Sequence, residues 1–128
     1  PGGGTWDVIH FNFGIHDRAT PLADYTARLE QLVQRMKRTG ARLIWASTTP
    51  IPDNPDAKQT AASIVDRNAA AADLMQKHGV AIDDLFGFIT PHLAEAQLPN
   101  DVHFNAQGYD LLGKKVAESV AETLKRAD

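Results

Sequence analysis

Apolar and polar positions change their spacing several times along this chain, and each change marks an element. Residues 6–13, WDVIHFNF, are apolar with little alternation, the pattern of a strand covered on both faces, and they predict an interior parallel strand. Beyond the loop GIHDRA, Leu22, Tyr25, Leu29, Leu32, Val33 and Met36 return on one helical face. This spacing predicts a helix capped by Thr20, with Pro21 at its first position and Gly40 as its stop. RLIWAST, residues 42–48, predicts a second strand, and the turn-forming run TPIPDNPDAK follows it. An alanine-rich helix is expected from about Thr60 to His78, stopped by Gly79, with VAID, residues 80–83, as a third short strand. Another helix is expected to begin near Thr90 and Pro91, with a turn in DLFGF before it. The last helix should run from about Ala106 to Lys125 behind Asn105 as its cap, with Leu112, Val116, Ser119 and Val120 on its inner side.

Strands that alternate with helices over so short a chain predict an α/β fold: right-handed βαβ units and a parallel sheet with helices on both faces. The order of the strands should follow the sequence, which leaves residues 6–13 at an edge despite their two-sided apolar character. In such a sheet the working residues lie just beyond the carboxyl ends of the strands. GIHD, STTP and PNDVHFN all belong at that rim, so three loops are expected to converge there.

Composition narrows the classes of function. The 128 residues are 43% hydrophobic and 23% charged, which suits one domain, residues 1–128, that buries roughly two-thirds of its unfolded surface. A net charge of -3 with 13 scattered basic residues gives no electrostatic reason to expect nucleic acid. No apolar run reaches the roughly 18 residues of a membrane span, and no signal peptide is visible. With no cysteine there is neither a disulfide frame nor a thiolate metal site, and no compartment is indicated. The candidate chemistry is therefore histidine and carboxylate chemistry. His16, Asp17, Asp101 and His103 are legitimate metal ligands but lack ligand-like local spacing such as HExxH, so neither a metal nor a cofactor is expected. Taken alone, the His16 and Asp17 pair would read as a loop that caps the next helix, and His103 as a surface histidine. His10 reads as a packing residue, His78 as a charge at a helix carboxyl end, and the alanines at 69–72 as close helix packing.

GIHD after an apolar strand, together with NDVHFNAQGYDLL near the carboxyl end, resembles the third and fifth sequence blocks of the SGNH or GDSL hydrolase family. LIWASTTPIP and GVAIDDLFGF extend the likeness over nearly the whole chain. The resemblance implies a flavodoxin-like, three-layer α/β/α fold and a serine esterase acting on acyl esters, O-acetylated carbohydrates among them, through an acyl-enzyme. It places Gly14 and His16 at the oxyanion, with histidine where the family has asparagine. It makes His103 the general base, oriented by Asp101 or by Asn100. The family's acid lies three residues before its histidine, where this chain has Asn100; Asp101 lies two before, and it is favoured because it carries the charge.

The family's nucleophile lies in a Gly-Asp-Ser block that this sequence does not contain. Its serines are Ser47, Ser63 and Ser119. Ser47 alone belongs on the right rim, yet it lacks the glycine-flanked sharp turn of an activated serine and reads as a supporting residue. The resemblance therefore implies the carboxyl-terminal part of an esterase, inert by itself, whose edge strand at residues 6–13 is covered by a missing amino-terminal segment or by a second copy in a homodimer. The reading from a different class is a non-catalytic α/β module that keeps the scaffold without the nucleophile.

Overall fold

β2, Arg42–Ala46, is the central strand of a parallel sheet, with β1, Val8–Phe11, on one side and β3, Ala81–Asp83, on the other. The computed structural model describes residues 4–56 and 59–126; the first three residues, the last two, and Ala57 and Lys58 of the proline-rich run lie outside them. Ile9 pairs with Leu43 and His10 with Ile44, while Trp45 pairs with Ile82. The sequence order of strands is thus the spatial order, as expected from successive crossovers. All three strands are shorter than their apolar runs: residues 12–13 and 47–48 leave the ladder after β1 and β2 to form the rim, while β1 and β3 also begin later than their runs. β2 is the strand buried on both faces, from Leu43 through Ala46. β1 has one neighbour among the described residues, and only Phe11 of its four residues is buried.

Two helices cover one face of the sheet. In α1, Leu22–Lys37, the buried positions Tyr25, Leu29 and Val33 recur every four residues and meet Phe11, Leu43 and Trp45. Its cap differs from the expectation: Pro21 holds the N-cap position and no side chain caps it, because Thr20 bonds through its main chain into the preceding loop. α2, Ala61–His78, is capped as the sequence predicts. The Thr60 side chain accepts from Ser63 N, and Gly79 closes the helix in the left-handed conformation at φ 66°. Ala71, Leu74 and Met75 complete this core.

α5, Ala106–Lys125, packs across the other face. Asn105 caps it by accepting from Gly108 N at 2.9 Å. DLFGF forms a helix of its own rather than a turn, α3, Leu85–Ile89, whose cap Asp84 accepts from Gly87 N. A 3-10 turn, Thr90–His92, leads into α4, Leu93–Ala96, and α3, α4 and α5 share a smaller core of Ile89, Ala96 and Phe104. The sheet face beneath α5 is partly polar. Asp83, whose side chain is wholly buried, faces His10 Nε2 at 2.9 Å and Lys115 Nζ at 3.7 Å, so His10 pairs with a carboxylate instead of packing among apolar groups. The result is a three-layer α/β/α arrangement that sends its three rim loops to one end of the sheet.

Candidate active site

The loop after β1 is held from two sides. Asp17 N donates to Gly14 O at 3.1 Å, closing residues 14–17 into a tight turn. The Tyr25 hydroxyl of α1 donates to Phe13 O at 2.6 Å. From α2, the nearly buried Arg67 donates to Asp17 O at 3.1 Å, to Arg18 O at 2.9 Å and to Thr20 O, with its guanidinium 5.9 Å from the centre of the Tyr25 ring. Burial pushes the Tyr25 hydroxyl up to about 12, assisted by the charge of Asp17 and opposed by Arg67.

The loop after β2 is fixed as firmly. Asn68 Oδ1 accepts from Thr48 N and its Nδ2 donates to Thr48 O, both at 2.9 Å, so the asparagine pairs with Thr48 as a neighbouring strand would. Asn12 donates to Ala46 O at 2.8 Å and to Thr48 Oγ1 at 2.9 Å, joining the first loop to the second. Ser47 is buried; its hydroxyl donates to Asp84 Oδ1 and accepts from Phe86 N, each at 2.8 Å. It supports the start of α3 and, being buried, does not line the cavity described below. Gly14 packs against Thr48 so closely that a β-carbon there would overlap Oγ1 and lie 3.0 Å from the threonine Cβ.

The third loop, residues 98–105, doubles back on itself. Leu98 N donates to His103 O and Asp101 N to Leu98 O, while Gln97 Nε2 reaches across to Pro50 O at 2.8 Å. Asn100 has a φ of 54° behind Pro99, as the third position of a type II turn requires. Asn100 shapes the turn, and the group held against the histidine ring is Asp101. Its Oδ1 lies 2.6 Å from His103 Nδ1 and also accepts from His103 N at 3.0 Å. These two bonds hold the Asp101 carboxyl below its usual range.

His16 and His103 line a common cavity of about 380 Å³, with Arg18, Thr49, Phe104 and Tyr109 among their neighbours. Both rings are exposed. The structure therefore brings His16, His103 and, behind it, Asp101 together at the carboxyl ends of the strands. Gly14 and Asn100 do not line the cavity; they set the backbone on which the histidines stand. Among the described residues no three histidine or carboxylate side chains gather closely enough to hold a metal ion, and no serine lines the cavity. A site of this composition offers an imidazole oriented through Nδ1 by a carboxylate, and a second imidazole able to donate to an oxyanion.

Arg67 and Asn68 escaped the reading of the sequence. Their signal was available: in step with Ile64, Ala71 and Leu74 they fall on the inner face of α2, and polar residues at buried helical positions mark hydrogen-bonded clamps.

Comparison with known proteins accords with this arrangement. The GDSL-like lipase/acylhydrolase family matches residues 1–111. A lipase/acylhydrolase from Enterococcus faecalis superposes with a TM-score of 0.75 at 21% identity, over 89% of this chain and 60% of that one. A putative SGNH hydrolase from Slackia heliotrinireducens gives 0.72 at 20% identity, over 92% and 67%. The acetyl xylan esterase AlAXEase gives 0.72 at 16% identity, over 89% and 67%. No curated protein matches the sequence. The chain thus spans about three-fifths to two-thirds of the length of these solved structures. With the family matched over most of its residues, this chain belongs to the GDSL-like lipase/acylhydrolase, or SGNH, family of hydrolases.

Proposed function

We propose that the chain supplies the general base and part of the oxyanion site of a serine esterase that cleaves acyl esters through an acyl-enzyme. The observation that carries this reading is the 2.6 Å contact between Asp101 Oδ1 and His103 Nδ1, on a ring that shares its cavity with His16. Asp101 fixes the tautomer in which Nε2 is free to take the serine proton, then stabilises the imidazolium until the proton passes to the leaving alcohol. Neither nitrogen of His16 is engaged by a described residue, so its N–H is available to the tetrahedral oxyanion, a contribution typically worth on the order of 10²–10³ in rate. Likeness to an acetyl xylan esterase favours O-acetylated carbohydrate among the substrates.

The nucleophile comes from outside the described residues. Among the described residues no strand pairs with the outer edge of β1 beside the first loop, and a strand paired there, from an amino-terminal segment or a second copy, would deliver a serine next to His103. The 128-residue chain alone is then expected to be nearly inert, because removing a catalytic serine costs on the order of 10⁶ in turnover. The test is fluorophosphonate labelling and hydrolysis of 4-nitrophenyl acetate by this chain and by any longer product that its gene encodes. Labelling confined to a Gly-Asp-Ser serine, and lost on His103→Ala, is expected. Rapid hydrolysis by the 128-residue chain, abolished by Ser47→Ala, would overturn the assignment. Absence of any labelled serine in the longer product would instead favour the non-catalytic module, a reading that gains from the cavity having no serine in its lining.

A further inference from the structure

The cavity between the two histidines contains a permanent cation for which ester hydrolysis itself has no task. Arg18 lines it beside His16. Its Nη1 donates to Ile15 O at 2.6 Å, tying the guanidinium to its own loop, and that loop is in turn anchored by Arg67 through the Arg18 carbonyl. The other donors of the guanidinium fork have no partner among the described residues. No aspartate or glutamate lines the cavity, while Ile15, Val102 and Leu112 give it apolar walls. Asp101, the carboxylate of the third loop, is engaged by His103. A half-buried guanidinium held by one carbonyl, beside apolar walls and without a counter-ion among the described residues, is a receptor for an oxyanion: it offers two parallel N–H groups in a medium that weakens charge less than water does.

We propose that Arg18 makes this site selective for esters whose acyl or alcohol part carries a carboxylate or similar oxyanion, an inference that rests on the esterase reading of the same cavity. The anion lies against the free edge of the guanidinium and the ester carbonyl reaches towards His16 and His103. A charge-assisted pair of this kind should favour the anionic over the matched neutral ligand by about 10- to 100-fold.

The test is a titration of the chain with N-ethylsuccinamate, an unreactive analogue bearing one carboxylate, and with neutral N,N′-diethylsuccinamide, at pH 8 and low salt. Binding is read from the ring resonances of His16 and His103. The expected result is a 10- to 100-fold preference for the anion, a preference ratio reduced to within about threefold of unity by Arg18→Gln, and an intermediate ratio for Arg18→Lys, which keeps the charge without the fork. Should Arg18→Gln fail to fold, the unmodified chain still decides the matter: its preference should collapse as ionic strength rises to 0.5 M. Equal affinity for the two ligands, no perturbation of either ring at millimolar concentration, or a preference insensitive to both salt and Arg18→Gln would each overturn the proposal. Comparing monoethyl with diethyl succinate as substrates of the longer gene product separates the two readings. Preferential binding without hydrolysis of either would sink the esterase reading and leave the oxyanion site standing.

Discussion

Replacing Gly14 by alanine tests whether the first two rim loops are locked together by direct contact. The added methyl would overlap Thr48 Oγ1 and approach Thr48 Cβ to 3.0 Å and Cγ2 to 3.2 Å. Thr48 has little room to retreat, since its N and O are both bonded to Asn68 and its Oγ1 to Asn12. Overpacking in a fixed environment typically costs about 1–3 kcal/mol, and this site belongs at the upper end. Thr48→Ala alone forfeits the Asn12 bond and a buried methyl, about 1–2 kcal/mol together. In the double variant Oγ1 and Cγ2 are gone, so most of the clash disappears. The total should lie near that of Thr48→Ala alone, giving a coupling of about 2–3 kcal/mol between the two positions. Urea unfolding of the four proteins measures the cycle, and thermal unfolding should move by roughly 3–5 °C per kcal/mol for a domain of this size. Costs that add to within about 0.5 kcal/mol would mean that the loops are independent, and the steric account of Gly14 would be wrong.

Three further outcomes follow from the same geometry. Arg67→Met keeps an apolar stem but strands the carbonyls of Asp17, Arg18 and Thr20; a cost of about 2–4 kcal/mol is expected, with amide exchange accelerated more at residues 14–20 than in α5. Exchange that rises equally in both would show that Arg67 merely supports the whole fold. In the esterase proposed above, Asp101→Asn should lower turnover by on the order of 10²–10⁴ by leaving His103 free to choose its tautomer, and a loss under threefold would remove Asp101 from the mechanism. Because its two bonds to His103 hold the Asp101 carboxyl below the ordinary aspartate range, its contribution to stability is present above that range and lost as pH falls through the lower folded value; the acid limb of unfolding should shift in the Asn variant. Tyr25 behaves in the opposite sense: its hydroxyl is raised from 10.0 to about 12, so its contribution, about 3 kcal/mol, is complete below pH 10 and lost between 10 and 12. Absorbance at 295 nm in a Tyr109→Phe background should show no tyrosinate near pH 10 while the fold persists, and a normal ionisation there would refute the burial argument.

Much of this was legible in the chain itself because periodicity and capping are local. The alanine-rich helix, its Thr60 cap and its Gly79 stop depend on residues within one turn of each other, and they lie where the pattern places them. Pro21 shows the limit: whether Thr20 caps α1 depends on the preceding loop, which claims the Thr20 main chain through Asp17 O and Arg67. The choice between Asn100 and Asp101 was also beyond the sequence, since extended backbone and a turn bring different residues to the ring; the turn forms, yet the residue two before His103 makes the contact because Asn100 occupies the left-handed position. Long-range clamps such as Asn68 on Thr48 or Gln97 on Pro50 O have no sequence period at all.

Those clamps explain how position 16 can carry an exposed histidine without a structural task. Arg67 and Tyr25 grip the first loop by the carbonyls of Phe13, Asp17, Arg18 and Thr20, Asn68 grips the second through Thr48 N and O, and Gln97 joins the third to Pro50 O. Every one of these bonds ends on the main chain. A backbone positioned in this way is indifferent to which side chain it presents, so an exposed residue at the loop's tip can change without moving its neighbours. In the esterase proposed above, position 16 need only present an N–H to the cavity, and an imidazole can do so. Position 14 has no such freedom: the same clamps that release His16 from structural duty press Gly14 against Thr48, where a single added carbon must displace a residue bonded at three points.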